Sequence, residues 1–374
     1  MAKATKEKVS LRDRIIKNST ITYTSSLETS KLFSTKDLIP TMVPMINVAL
    51  SGSVDGGLAP GITMVAGPSK HFKTGFTLLM VGAFLNKYKD ATVLFYDSEF
   101  GTPQDYFRAY NIDLSKIVHT PITNIEELKF DIMQQLAELT RDDKVLIMID
   151  SIGNLASKKE VDDAVDGKSV ADMSRAKQLK SLFRMVTPHL ALKDIPMPVV
   201  NHTYKEMSLF PRDIVSGGTG AYYSADNIWI LGRRQQKQGT EVTGYEFIIN
   251  VEKSRLVKEK SKIPISISFD GGINRWSGLL EVAILLGFVL VPEKGKYMVL
   301  GSDEIMSKKK IVNNSEVWTH LLTNTEFKDA IEKMYKLSSA DLLVNDSEPD
   351  VDVFVNSDAQ HEFIDTGVAV SWND

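Results

Sequence analysis

The chain has no cysteine, which excludes disulfides and thiolate metal sites. Histidine is scarce: there are six in 374 residues and no HExxH spacing, which argues against a zinc centre, and His119 and His189 read as structural or surface residues. No apolar run approaches the ~20 residues of a membrane span. The opening MAKATKEKVSLRDR carries charge but no apolar segment behind it, so no secretory signal is expected and a reducing cytosol is the natural compartment. There is no internal repeat and no motif that reads base edges.

With 43% hydrophobic and 25% charged residues, the composition is that of a globular protein long enough for one large domain and a smaller one. The net charge of -4 is unevenly spread: Asp341 to Asp374 holds nine acidic residues and no Lys or Arg, leaving 39 acidic against 44 basic residues elsewhere. A mildly basic body with an acidic tail is compatible with nucleic-acid binding held in check by the tail; a solubilising tail accounts for the same charge.

The first forty residues read as an arm with a short amphipathic helix (Leu11, Ile15, Ile16). From Thr41 to about Asp270 strands and helices alternate. Strands are expected at 62–66, 92–96, 145–149, 197–201 and 227–231, with helices at 73–88, 103–110, 124–140 and 171–192 between the first four. Apolar runs bounded by helices predict an α/β fold with a mostly parallel central sheet covered on both faces. Two further strands, near 244–252 and 262–269, are expected to be antiparallel, and a small helical unit follows from about Ser277 to Ser339. Residues 153–170 and 203–220 are long polar connections that begin at strand ends, where open α/β sheets bind ligands.

The strongest chemical signal is Gly67-Pro68-Ser69-Lys70-His71-Phe72-Lys73-Thr74, after the apolar run 62–66 and before a helix. This is the layout of a phosphate-binding loop: backbone amides cradle the anion, Lys73 meets the β- and γ-phosphates, and the Thr74 hydroxyl serves Mg²⁺. Phe72 stands where the pattern G-x-x-x-x-G-K-[ST] has its second glycine, so its side chain must turn away from the phosphates. Asp150 ends the run VLIMI and suits Mg²⁺; Glu99, after TVLFY, suits activation of the water that attacks the γ-phosphate.

With these residues in place the chain resembles the RecA-type strand-exchange recombinases, most closely the UvsX branch of T-even-like phages, over nearly its whole length. The resemblance rests on the phosphate loop and the segment before it, on Tyr96-Asp97-Ser98-Glu99 followed by Tyr106, on Val199-Val200-Asn201-His202, and on Asp270-Gly271-Gly272-Ile273 at the junction to a small C-terminal domain. It implies a RecA-like P-loop ATPase core at 41–272, an N-terminal oligomerisation arm at 1–40, a small C-terminal helical domain at 273–340 and an acidic tail. It further implies ATP and Mg²⁺ as cofactors, Glu99 as catalytic base, Tyr106 as the adenine-stacking residue and His202 as the γ-phosphate sensor. Lys253 and Arg255, two apart on an expected strand, are implied to reach a neighbouring subunit's ATP; a charged outer strand face is the plainer account.

The same resemblance makes the two long connections DNA-binding loops. Lys158, Lys159, Lys168, Lys205 and Arg212 can neutralise phosphates, the amides near Gly217 and Gly218 can approach them, and Phe210 can stack on bases. Solvation is the alternative for scattered lysines. The implied protein is an ATP-dependent recombinase forming a helical filament on single-stranded DNA and exchanging strands with duplex DNA, aided by a single-strand-binding protein and a mediator, in the cytoplasm of a host cell. Two alternatives stand beside it: a ring-forming DNA motor of the same fold, and a filament or mediator protein with a decayed ATP site.

Overall fold

A computed structural model describes residues 9–30, 37–167, 174–207 and 211–337. Lys168, Phe210 and the acidic tail lie outside the described residues.

The core is a nine-stranded sheet. Its parallel part is built from β1 (Gly61–Ala66), β2 (Thr92–Asp97), β3 (Ile117–Pro121), β4 (Val145–Asp150) and β5 (Pro196–Asn201). A small hairpin, β6 (Thr203–Lys205) and β7 (Asp213–Val215), follows β5. The sheet then takes in β8 (Asn227–Gln238), β9 (Glu241–Lys253), β10 (Lys262–Ser268) and the short β11 (Gly272–Ile273). Across the sheet the order is β11-β10-β9-β8-β1-β5-β4-β2-β3, parallel from β8 to β3 and antiparallel from β8 to β11.

The strands read as unbroken apolar runs because both faces are covered. In β4, Leu146 and Met148 enter one core while Val145, Ile147 and Ile149 enter the other, the two-residue alternation of a pleated strand. After α1 (Leu11–Asn18), which buries no residue, one layer is formed by α2 (Pro44–Ser51), α3 (Lys73–Lys87) and α4 (Gln104–Ala109). The other layer contains α5 (Ile125–Glu138) and, beyond α6 (Lys158–Val165), α7 (Ser174–Lys193) and α8 (Gly218–Ser224). Asn124 caps α5 by accepting from the Glu127 amide at 2.9 Å, and Glu127 returns to the amide of Thr123, one residue before the cap, at 2.9 Å.

The structure corrects or extends four expectations. Residues 153–170 hold a helix, α6, because Ser157 caps it through the Glu160 amide at 3.1 Å. Within 203–220 the described residues hold the strands β6 and β7 and the first turn of α8. The expected strands at 227–231 and 244–252 extend into a hairpin of 12 and 13 residues, in which β8 beyond Gly232 is polar throughout. The C-terminal unit is not purely helical. Between α9 (Leu279–Leu285) and the helices α10 (Lys308–Val312), α11 (Ser315–Thr323) and α12 (Thr325–Tyr335) lies a three-stranded antiparallel sheet of β12 (Val289–Glu293), β13 (Lys296–Val299) and β14 (Ile305–Ser307). Phe327, Ile331 and Tyr335 of α12 join the same core as α2 and α3.

Candidate active site

The registers of the parallel strands gather their carboxyl ends. Ala66 pairs with Asn201 and Ile230, Asp97 pairs with Asp150, and the segment after each strand opens on the same edge. β5 lies between the strand that feeds the phosphate loop and the strand that ends in Asp150.

The loop 67–74 brings Lys73 and Thr74 to this edge at the start of α3. Lys73 Nζ donates to the Pro68 carbonyl at 2.9 Å, and burial pulls its pKa below the usual lysine value while Glu99 and Asp150 oppose the shift. Thr74 Oγ1 donates to Asp150 Oδ2 at 2.6 Å. Asp150 is buried, its Oδ1 has no hydrogen-bond partner, and burial pushes its pKa up to about 6. An orphaned buried carboxylate oxygen beside a threonine hydroxyl fits a divalent cation that takes its remaining ligands from phosphates and water. The described residues contain no group of three or more His, Asp or Glu that could hold a metal without such help.

Phe72 stands at the N-cap of α3 in the left-handed region at φ 59°. Its ring turns away from the loop, stacking on Phe247 of β9 at 5.6 Å and meeting Phe76 edge-on at 5.6 Å. A Cβ on Gly75 would lie 2.3 Å from that ring, so the glycine one turn into the helix leaves room for the aromatic. Lys70 is also left-handed, and Arg233 of β8 donates to its carbonyl at 3.0 Å while lying over the Tyr245 ring. His71 Nδ1 contacts the Ser69 carbonyl at 2.9 Å, and burial lowers the His71 pKa. Beside the loop lies a cavity of about 840 Å³ lined by Lys70, Phe72, Tyr106, Tyr245, Phe247 and Phe269. Tyr106 is thus on the same cavity wall as the phosphate loop; Phe247 of β9 and Phe269, just past β10, were not read from the sequence.

Glu99 is aimed by its neighbours. Asp97 Oδ1 accepts from the amides of Glu99 and Phe100 at 3.0 and 2.9 Å, closing a tight turn at the end of β2. Glu99 Oε1 faces His202 Nε2 at 3.2 Å and accepts from Ser151 Oγ at 2.8 Å and Asn154 Nδ2 at 3.3 Å. The His202 contact, and then Ser151, hold the carboxyl below the usual glutamate range despite burial. Ser151 and Asn154 were missed; their only sequence signal is that they follow Asp150.

The residues expected to meet DNA fall into two groups. Lys158 and Lys159 stand on the first turn of α6, and Lys159 pairs with Asp163. Lys205 pairs with Asp213 across the β6–β7 hairpin at 3.1 Å, with Arg212 exposed beside it. Gly217 and Gly218, both left-handed, open α8 against α7. A Cβ on Gly220 would sit 2.5 Å from Lys180 Cβ, which fixes how closely the two helices approach. Lys177, Lys180 and Arg184 are exposed along α7 at spacings of three and four; this helical period was legible in the sequence but went unread.

Lys253 and Arg255 do not share a strand face. Lys253 ends β9 and donates to the Tyr222 and Tyr223 carbonyls at 2.9 and 3.0 Å, whereas Arg255 lies past the strand and pairs with Asp226 at 2.5 Å. Asp226 accepts from the Ile62 amide at the start of β1, so both cations lie at the opposite end of that strand from the phosphate loop.

A strand-to-helix loop after β1, a buried aspartate at the end of β4 and a glutamate just past the end of β2 meet at one edge of the sheet, the layout of the P-loop nucleotide-binding class. Family comparison narrows the class. Residues 27–274 match the RecA N-terminal domain, and residues 276–331 match the C-terminal domain of the bacteriophage T4 recombination and repair protein. The chain is 46% identical to the recombination and repair protein of Enterobacteria phage T4 over 357 residues, covering 93% of this chain and 91% of that one. It is 24% identical to protein RecA of Tropheryma whipplei over 300 residues, 79% of this chain and 65% of that one, and 24% identical to protein RecA of Streptomyces avermitilis over 305 residues, 80% and 76%. The chain belongs to the RecA family of recombination proteins, in the group of the phage T4 protein.

Proposed function

We propose that this protein is a single-stranded-DNA-dependent ATPase that assembles as a helical filament on DNA and carries out homologous pairing and strand exchange. The observation that carries the reading is the contact between Glu99 and His202. It joins a carboxylate beside the phosphate loop to the residue from which the β6–β7 hairpin departs, so nucleotide chemistry and the hairpin share one hydrogen-bonded group.

In this reading the loop amides and Lys73 bind the β- and γ-phosphates, and Tyr106 and Phe269 hold the base in the adjoining cavity. Thr74 and Asp150 hold Mg²⁺, which when bound neutralises charge developing on the phosphate oxygens. Glu99 orients the attacking water and accepts its proton, for which it must leave His202; a γ-phosphate facing His202 supplies the competing partner. Lys253 and Arg255 are too far along β1 to serve their own loop and act on a neighbour's nucleotide, which makes hydrolysis depend on assembly. Gly217, Gly218, Lys177, Lys180, Arg184, Arg212 and Lys205 track the DNA backbone, with exposed Tyr204 and Met207 against the bases. A single-strand-binding protein and a loading mediator are the expected partners, and the cytoplasm of the phage's host the expected compartment; no helix among the described residues is long and apolar enough to cross a membrane.

Electron microscopy with long single-stranded DNA and a non-hydrolysable ATP analogue tests this. Open helical filaments that require the nucleotide are expected. Closed rings would point to a motor, and filaments indifferent to nucleotide to a decayed ATP site.

A further inference from the structure

We infer that Arg175 is a positioning residue for hydrolysis, holding the turn 152–155 so that Ser151 and Asn154 keep Glu99 aimed. Its link to DNA, but not its action on Glu99, rests on the recombinase reading above.

Arg175 is the second residue of α7. Its guanidinium donates through Nε to the Leu155 carbonyl at 2.8 Å and through Nη2 to the Ile152 and Gly153 carbonyls at 3.0 and 2.9 Å. Three carbonyls of one turn thus converge on one planar cation, a geometry that a lysine ammonium cannot reproduce. Bonds from a cation to carbonyls are charge-assisted and stronger than neutral ones.

The other side of the same turn faces the reacting groups. Ser151 Oγ and Asn154 Nδ2 both donate to Glu99 Oε1. The backbone of Gly153 lies under the His202 ring so closely that a Cβ there would stand 2.2 Å from the ring. The turn has no regular secondary structure of its own; its ties to the sheet include the Ile152 amide donating to Val200 at 3.1 Å. Arg175 therefore stands behind the turn and Glu99 with His202 in front of it. The rest of α7 presents Lys177, Lys180 and Arg184 outward, so a phosphate backbone drawn to that face acts on the helix whose first turn carries the clamp.

The test is ATP turnover with and without single-stranded DNA, beside DNA binding in a non-hydrolysable ATP analogue. Arg175→Met should lower the DNA-stimulated kcat about tenfold or more, with KM for ATP and DNA affinity within about threefold of the parent, because displacing an aimed group by ~1 Å is costly to chemistry and not to binding. Arg175→Lys should fall between the two. Asn154→Ala should reproduce part of the loss, and adding it to Arg175→Met should cost less than the product of the separate losses. An Arg175→Met protein that turns over like the parent overturns the inference, as do fully multiplicative losses or a KM that rises in step with the fall in kcat. If Arg175→Met does not fold, Arg175→Lys alone and combined with Asn154→Ala decide by the same criteria. A parent without DNA stimulation sinks the recombinase reading. The same kcat-selective loss in DNA-independent turnover would then still uphold Arg175, and its absence would refute it.

Discussion

His202 Nε2 lies 3.2 Å from Glu99 Oε1, a contact between residues 103 positions apart that unites the ends of two strands of the sheet. The pair holds the carboxylate ready while keeping it occupied, so the group that would take a proton from water is already engaged by a neighbour. Glu99→Gln keeps the size and loses the basicity. Turnover should fall by about 10²- to 10⁴-fold while nucleotide-dependent filaments persist. Single-turnover hydrolysis checks the first half and electron microscopy the second; parental rates in the variant would remove Glu99 from the chemistry.

Asp150 gives a pH signature. Burial pushes its carboxyl up to about 6 from an ordinary 3.8, so the native state holds the proton more tightly than the unfolded chain does. Its contribution to stability is therefore complete below the unfolded value and is lost as the pH rises through about 6. A cation needs the ionised form. Binding of Mg²⁺ with nucleotide should release a proton near pH 6 and release none at about pH 8, read by calorimetry in buffers of different ionisation enthalpy. Asp150→Asn should lower the release by the share that Asp150 supplies, leaving that of the terminal phosphate, whose own second pKa is about 6; an unchanged release would exclude Asp150.

Phe72 sets two effects against each other. Truncating the ring to Ala should cost about 2 kcal/mol, below the range for a fully buried phenylalanine because this one is half-buried. At φ 59° glycine is free of the Cβ penalty. Phe72→Gly should then be more stable than Phe72→Ala by about 1 kcal/mol, reversing the usual order inside a chain. Urea titration of both variants settles the sign.

The exposed face of α7 can be separated from the nucleotide site. Lys180→Ala and Arg184→Ala should each weaken single-stranded DNA binding across sequences and flatten its logarithmic salt dependence by about one unit or somewhat less. Fluorescence anisotropy over a salt series reads both. An unchanged slope would place the DNA elsewhere.

Much of the architecture was legible because the core strands are buried on both faces and so appear as unbroken apolar runs between helical periods. Lys73, Thr74, Asp150 and Glu99 were legible for a related reason: each stands at a strand end or helix start, where local sequence already fixes position. What stayed hidden depends on tertiary register. β3 is an edge strand with Val118 and His119 exposed, so it carries no apolar run. The distal part of β8 is a run of polar residues, and its ties to Tyr245 and Ser266 come from strands far along the chain. Arg175, Ser151 and Asn154 are ordinary polar residues in sequence, and only the fold turns three carbonyls toward one and two donors toward Glu99.

The Phe72 ring transfers part of the phosphate loop's definition to β9. In a glycine-built loop the conformation is a local property, inherited with the motif. Here it is shared with Phe247, so a change on that distant strand would be felt as altered nucleotide affinity, although Phe247 belongs to no phosphate-binding pattern. Lineages that keep the aromatic in the loop should be constrained at both positions together, and a search built on the second glycine would pass over them all.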